Sequence, residues 1–264
     1  MKIVGEKLNS SIAVIKEFIE NRNTEEIVKI AISQKNAGAD FIDINAGMFM
    51  EREPEMLAYM AHELVNQGLT LSIDSPSYIA IRAALKAANS SGNLINSVTL
   101  DKDRLENMTD LAREYNCSMV ALCMQNSGMP ENIDSRLQIA DKLITYMTNK
   151  GCKMSDIYID PMLRPLGADE NSGLEALDAI KRIRNTFPEC NIICGLSNLS
   201  FGMPKRKIIN RAFAVAAICN GLNSAILDPL DRDLMGLISA TEAITGLDEF
   251  GIDYISKCRK GIIG

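Results

Sequence analysis

The chain has 264 residues, and 28 Lys and Arg against 34 Asp and Glu give it a formal net charge of −6. This mild acidic excess offers no basic stripe for a duplex, so we expect no nucleic-acid partner. The longest apolar runs, such as Phe213 to Cys219, fall short of the roughly 20 residues of a membrane-spanning helix, so we expect no membrane partner. The N-terminal residues MKIVGEKLN place Gly5 and Glu6 where a signal peptide carries its apolar stretch, which predicts a cytoplasmic protein.

The 7 cysteines and the single histidine limit the possible metal and nucleophile chemistry. An odd number of scattered cysteines, most of them in apolar strings such as MVALCM, NIICGL and AVAAIC, predicts buried thiols rather than a disulfide framework. His62 lies in the helical pattern MLAYMAHELV, so a His-based triad or a zinc site is not expected. The sequence therefore predicts a protein that binds no metal.

Short apolar runs alternate with amphipathic stretches along the chain. The runs are nearly continuous in Ile, Val and Leu, which is typical of parallel strands buried on both faces. Glycines follow several of the helical patterns, where a left-handed residue is expected. The predicted strands are 2–6, 41–45, 69–74, 93–97, 118–124, 156–161, 191–198 and 223–228, and the predicted helices are 24–37, 54–66, 78–88, 103–115, 135–149, 173–187, 207–219 and 231–245.

Eight strand–helix repeats with no linker or change in composition predict an α/β fold, a single (β/α)8 TIM barrel, over residues 1–264. The alternative is an open doubly wound sheet. Such a sheet usually has fewer units and a Gly-rich first turn, which this sequence lacks. Residues 251–264 are too few to form another domain.

Polar side chains stand at the predicted carboxyl ends of the strands, where barrels of this kind hold their active sites. Asp and Asn dominate, and a ring of carboxylates and amides matches a neutral heterocycle with amino and ring N–H groups. The cations Lys205, Arg206 and Lys207 suit a phosphate or a carboxylate tail equally. Each polar residue could instead cap a helix or tie a loop. The set is Glu6, Asn9, Asp43, Asn45, Asp74, Asn96, Gln125, Asn126, Asp160, Asn198 and Asp228.

Seven short strings occur in the order and spacing of one protein family: GEKLN at 5–9, FIDINAG at 41–47, LSIDS at 71–75, LINS at 94–97, YIDP at 158–161, GLSNLS at 195–200 and NRAF at 210–213. On these strings, over essentially the full chain, the sequence resembles the pterin-binding barrels. Within them it resembles the corrinoid-dependent methyltetrahydrofolate methyltransferases. The resemblance implies a homodimer that moves a methyl group between nitrogen-5 of tetrahydrofolate and the cobalt of a corrinoid.

The resemblance also assigns roles to matching positions. It implies that Asn198 lies near nitrogen-5, and we infer that Asn198 and Asp160 are catalytic, in a network with water that delivers a proton. A conventional general acid is not expected, because Asp160 would be ionised at neutral pH unless burial raised its pKa. Phe201 departs from the family pattern, in which a polar residue is expected. The implied substrate-binding set is Asp74, Asn96, Asp160, Asn198, Gly195, Ser197 and Arg206, with Arg206 at the benzoyl-glutamate portion.

Two other functions remain open on the sequence. Dihydropteroate synthase uses the same barrel and pterin, but it needs cationic contacts to a pyrophosphate. A non-catalytic folate-binding subunit of a corrinoid complex is the other alternative. The corrinoid-binding string DxHxxG is absent from the sequence, so the corrinoid (cobalamin) is expected on a partner protein. The direction of methyl transfer stays open at this point.

Overall fold

The computed structural model describes residues 1–125, 128–130 and 132–263. Within these residues, eight parallel strands close into a barrel in sequence order, with β8 paired to β1. The predicted (β/α)8 barrel is therefore confirmed. The strands are β1 (Lys2–Asn9), β2 (Phe41–Asn45), β3 (Leu71–Asp74), β4 (Leu94–Val98), β5 (Ser118–Leu122), β6 (Ile157–Asp160), β7 (Asn191–Gly195) and β8 (Ser224–Leu227).

The helices surround the barrel, and each of the eight predicted ones is present with ends within two residues of the prediction. Several begin with a side chain that accepts a hydrogen bond from the first turn, which satisfies a backbone donor that the helix leaves unpaired. These caps are Asn23, Ser77, Asp101, Asn132 and Asp231. The helices are α1 (Ala13–Glu20), α2 (Thr24–Asn36), α3 (Glu53–Val65), α4 (Tyr78–Ala88), α5 (Lys102–Tyr115), α6 (Ile133–Asn149), α7 (Ser172–Thr186), α8 (Leu196–Leu199), α9 (Arg206–Cys219), α10 (Arg232–Ile244) and α11 (Ile252–Arg259).

Three of these helices, α1, α8 and α11, were not predicted. All are short, and none begins with a side-chain cap. The predicted seventh strand, 191–198, is wrong in its last three residues, because β7 ends at Gly195 and the chain turns at once into α8. Leu196 and Leu199 are both buried, so the spacing of the apolar residues there is helical rather than alternating.

The interior of the barrel consists of an apolar layer with a polar layer above it. A buried apolar cluster crosses the barrel, with Phe41 and Tyr158 in edge-to-face contact at 6.4 Å between ring centroids. Side chains of a strand alternate between its faces, so residues two positions further along point to the same side. The apolar layer consists of Val4, Phe41, Leu94, Val120, Tyr158 and Ile193. On β2, β4 and β6 the next inward residues are Asp43, Asn96 and Asp160, which therefore lie directly above it.

The cysteines are mostly buried, as predicted, and all seven are free thiols. Cys219 and Cys258 are exceptions because they are exposed. Cys219 ends α9, and its apolar string packs through Phe213, Ala214, Ala217 and Ile218 instead. None of the helices among the described residues is both long and apolar enough to cross a membrane.

Candidate active site at the carboxyl ends of the strands

Asn96 and Asp43 form the centre of the polar layer. Asn96 is 9% exposed, and its Nδ2 donates to Asp43 Oδ1 at 3.3 Å. Ser72 Oγ donates to the same oxygen at 2.6 Å. Because the amide nitrogen of Asn96 is turned toward Asp43, its carbonyl oxygen is left to accept a hydrogen bond from a ligand. The buried Asp43 carboxyl has a pKa raised well above its usual value, first by desolvation and next by the nearby charge of Asp74.

Asp74 is held by a second chain of hydrogen bonds. Asn45 Nδ2 donates to Asp74 Oδ2 at 2.9 Å. The Asn45 carbonyl oxygen in turn accepts from Ser10 Oγ at 3.1 Å and from Gly47 N at 3.0 Å, which fixes the orientation of the amide. Desolvation raises the pKa of Asp74, and the bond from Asn45 opposes this rise. The Asp74 side chain therefore has a defined orientation, and its carboxyl oxygens are suited to accept N–H groups of a heterocycle.

Asp160 is 7% exposed and is the group whose electrostatics the sequence could not show. Its Oδ1 accepts from the backbone N–H of Met162 at 2.7 Å. Desolvation raises the pKa of Asp160 to about 7 despite that bond. Burial is thus the exception that the sequence left open for Asp160, and near neutral pH its carboxyl is close to half protonated. A carboxyl with a pKa near the working pH is suited to general acid–base catalysis.

Asn198 lies on α8 and is exposed. Gly195, the residue that precedes α8, is buried. A Cβ atom at Gly195 would lie 3.0 Å from Asn198 Nδ2, which is closer than most real contacts of a Cβ. Gly195 therefore leaves the space into which the Asn198 amide folds back over the end of β7. A side chain at 195 would crowd the amide in this position.

Ser197 and Arg206 are joined to each other and to Glu6 on β1. Ser197 Oγ donates to Glu6 Oε1 at 3.0 Å. Arg206 Nη2 donates to the carbonyl oxygen of Ser197 at 2.6 Å, and Arg206 Nε donates to Ser200 Oγ at 3.1 Å. Phe201 is 67% exposed, and its ring centroid lies 6.0 Å from the Arg206 guanidinium carbon. The contact of Arg206 with a benzoyl-glutamate tail stays a prediction.

The structure gives roles to residues that the sequence left without one. Asp43, Asn45 and Glu6 were noted at strand ends but were not placed in the binding set. The available signal was the strict alternation of FIDIN, which puts Asp43 and Asn45 on the inner face. Arg104 was not singled out, and its guanidinium donates to backbone carbonyls of Ser75, Pro76 and Ser97 beyond β3 and within β4.

Other strand-end residues have different roles. Asp228 pairs with Lys7 at 2.7 Å. Asn9 accepts a backbone hydrogen bond from Ser11 at 2.9 Å, so it serves the local turn. Gln125 is exposed, and Asn126 lies outside the described residues. Among the residues that the structure describes, no group of three or more His, Cys, Asp and Glu side chains could hold a metal ion.

A closed (β/α)8 barrel with carboxyl and amide side chains at the carboxyl ends of its strands places hydrogen-bonding groups where barrel enzymes hold their active sites. The model of the family "Pterin binding enzyme" matches residues 10–228 of this chain. The chain belongs to the pterin-binding enzymes.

Two curated relatives bear on function. The chain is 34% identical to a methylcorrinoid:tetrahydrofolate methyltransferase of Eubacterium limosum, over 100% of this chain and 98% of that protein. It is 26% identical to methionine synthase of Mycobacterium leprae over 85% of this chain, but it spans only 20% of that protein. Among solved structures, dihydropteroate synthase of Yersinia pestis with a pterine-sulfa conjugate superposes with a TM-score of 0.71 at 17% identity, covering 93% of each chain. This last likeness shows the fold alone.

Proposed function

We propose that this protein is a methyltransferase that moves a methyl group between nitrogen-5 of tetrahydrofolate and the cobalt of a corrinoid. The observation that carries the proposal is that Asp74, Asn96 and Asp160 lie at or near the carboxyl ends of β3, β4 and β6, with Asn96 and Asp160 directly above one apolar layer, while Asn198 follows the end of β7. Full-length similarity to the Eubacterium limosum methyltransferase supports it. The name of that relative favours transfer from the methylcorrinoid to tetrahydrofolate.

The polar layer suits the pterin ring of a folate. The ring presents an amino group and ring N–H groups, and these can donate to the carboxylates of Asp74 and Asp160. The carbonyl oxygen of Asn96 accepts a further donor, since its amide nitrogen is already bonded to Asp43. The apolar layer below closes the barrel, so the ring enters from the mouth. Gly195 and Ser197 line the side of this pocket at the end of β7.

Protonation at nitrogen-5 is the chemical problem that the site must solve. When tetrahydrofolate takes up a methyl group, nitrogen-5 changes from a secondary to a tertiary amine and gives up a proton. In the reverse direction the N–CH3 bond breaks and its electron pair returns to nitrogen-5, so nitrogen-5 must be protonated or strongly hydrogen-bonded to leave as a neutral secondary amine rather than as an amide anion. Asp160, with a pKa of about 7, can exchange that proton with water near neutral pH. The Asn198 amide offers both a donor and an acceptor to nitrogen-5.

The methyl donor or acceptor is a corrinoid on a separate protein, which we place over the exposed mouth of the barrel. We further propose that residues 1–264 act as one domain, that the protein is a homodimer, and that it works in the cytoplasm. Recognition of the pterin by carboxylates and amides requires no metal bound to this chain. These statements follow from the family resemblance and the sequence pattern.

Methyl transfer to a free corrinoid tests the proposal directly. The purified protein is mixed anaerobically with methylcobalamin and tetrahydrofolate, and the visible spectrum follows loss of the methylated corrinoid. We expect transfer that depends on protein concentration and yields methyltetrahydrofolate. Protein that binds tetrahydrofolate without transfer would instead be the non-catalytic subunit. Protection from thermal unfolding by a pterin pyrophosphate, but not by tetrahydrofolate, would indicate a dihydropteroate synthase.

A further inference from the structure

We propose that Glu6 and Arg206 are positioning residues that hold α8 from two sides and so fix the Asn198 amide at the mouth of the barrel. The inference rests on the proposed function only in giving Asn198 its role at nitrogen-5. Neither residue needs to touch the pterin ring for this. The resemblance placed Arg206 at the folate tail and gave Glu6 no role.

The first contact that holds α8, which we call the first arm, runs from Glu6 to Ser197 and begins with an irregularity in β1. The register between β1 and β2 shifts between Gly5 and Leu8. The backbone N–H of Lys7 donates to Gln34 Oε1 on α2, at 3.0 Å, and Gln34 is fully buried. A Cβ at Gly5 would lie 2.5 Å from that oxygen, so Gly5 makes room for the bond. Irregularities of this kind re-aim a side chain, and here Glu6 points across the mouth to Ser197 Oγ.

The second arm is the side chain of Arg206, the first residue of α9, with its contacts to Ser197 and Ser200. Arg206 uses two of its nitrogens on the residues that flank Asn198, the carbonyl oxygen of Ser197 and the hydroxyl of Ser200. Ser200 is fully buried, and its hydroxyl donates back to the Ser197 carbonyl at 3.3 Å. The planar guanidinium thus joins both ends of the turn, a geometry that a lysine cannot reproduce.

The charges of the two arms support each other. Glu6 is largely desolvated, and burial raises its pKa, while the hydroxyl of Ser197 and the charges of Lys7 and Arg206 favour its carboxylate form. The nearby Asp228 acts in the opposite direction. Arg206 therefore helps to keep Glu6 an acceptor for Ser197, so the two arms act on the same residue.

A tetrahydropterin without the benzoyl-glutamate portion separates positioning from tail binding. With this acceptor and methylcobalamin at saturation, we expect Arg206→Gln to lower the single-turnover rate about tenfold, because a misplaced amide loses alignment. Its affinity for the tail-less acceptor is expected to stay within about twofold, because the pterin contacts are intact. Arg206→Lys should have a single-turnover rate nearly as low as that of Arg206→Gln, because a lysine cannot bond both Ser197 and Ser200 in the same way. The matched control is Arg182→Gln, since Arg182 makes an ion pair with the exposed Asp134 at 2.5 Å on the surface.

Glu6 gives a complementary pair of variants. Glu6→Gln keeps an oxygen that can accept from Ser197, so its rate should remain within about threefold of the wild type. Glu6→Leu removes the acceptor, and we expect a loss of about tenfold. Melting curves check that both variants fold. Equal losses in the two variants at unchanged melting temperature would show that charge, and not the hydrogen bond, is what matters, and would overturn the positioning role.

A double-mutant cycle decides whether Arg206 acts through Asn198. In an Asn198→Ala background, Arg206→Gln should cost less than about twofold, since the group that it positions is gone. A loss that is as large as in the wild type overturns the proposal. So does an Arg206→Gln protein that binds tetrahydrofolate weakly but keeps a normal rate with the tail-less acceptor, because Arg206 is then a tail contact. The same assay is first run on the wild-type protein. If that protein transfers no methyl group, the proposed function itself is contradicted, and not only the positioning role.

Discussion

At the scale of single residues, burial of the Asp160 carboxyl destabilises the folded protein above neutral pH but gives the carboxyl a pKa suited to proton exchange. Its pKa is about 7 in the fold against an ordinary 3.8, so the folded state holds a proton that the unfolded state has lost between about pH 4 and pH 7. Stability therefore falls as pH rises through that window. The raised pKa is caused by burial of the carboxyl, and the string YIDP alone does not show how deeply Asp160 is buried.

We expect Asp160→Asn to stabilise the ligand-free protein more at pH 8 than at pH 5, by about 2 kcal/mol, because the amide has no charge to desolvate. Denaturant unfolding at the two pH values measures this. The exposed Asp141 provides the control Asp141→Asn. Asp160→Asn should also slow methyl transfer, since an amide cannot exchange the proton. An equal change in stability at both pH values would contradict the raised pKa.

Asn198→Ala tests the residue assigned to nitrogen-5. If the Asn198 amide bonds nitrogen-5 more strongly in the transition state, when the charge on nitrogen-5 changes, then its removal weakens stabilisation of the transition state more than it weakens binding of tetrahydrofolate. We expect the single-turnover rate with saturating tetrahydrofolate to fall about 100-fold, or about tenfold if water fills the space. The melting temperature should hardly change, because the side chain is exposed. A normal rate with weaker binding would make Asn198 a ligand contact only.

At the scale of elements, nearly continuous apolar runs predicted the strands and amphipathic patterns predicted the outer helices, whereas neither kind of pattern predicted the turn after β7. The helices are long enough to repeat their apolar period, and a strand such as Phe41–Asn45 is a buried run apart from its last residue. The four residues of α8 are too few to show a period. Hydrogen bonds such as Asn45 to Asp74 join strands distant in sequence, so their pairing could not be derived from one strand alone.

Gly195→Ala tests the junction between β7 and α8. The added methyl would press on Asn198 Nδ2, and we expect the saturated rate to fall about tenfold because the amide shifts by a few tenths of an ångström. Gly167→Ala is the matched control, since nothing lies within 4 Å of a Cβ built there. Titration with tetrahydrofolate should show nearly unchanged affinity. Identical rates for the two variants would mean that Gly195 does not set the position of Asn198.

At the scale of the whole molecule, the polar layer is a set of desolvated acids held above an apolar layer. Burial raises the pKa of Glu6, Asp43, Asp74 and Asp160 together. We therefore expect the melting temperature of the ligand-free protein to fall between pH 5 and pH 8. Bound tetrahydrofolate, which we propose donates N–H groups to Asp74 and Asp160, should flatten the dependence. Parallel curves with and without folate, measured anaerobically, would contradict the placement of the pterin.

The hydrogen bond between Glu6 and Ser197 joins residues 191 positions apart, and β1 also pairs with β8. A nascent chain that has emerged through β6 already carries Asp43, Asp74, Asn96 and Asp160. It still lacks the turn that bears Asn198, and the last strand must emerge before β1 has neighbours on both sides. Contacts of such separation form late, because the loop between their ends must close first. We therefore expect Asn198, the residue assigned to nitrogen-5, to reach its position only when β8 closes the barrel, after the strands that carry Asp74, Asn96 and Asp160 have been synthesised.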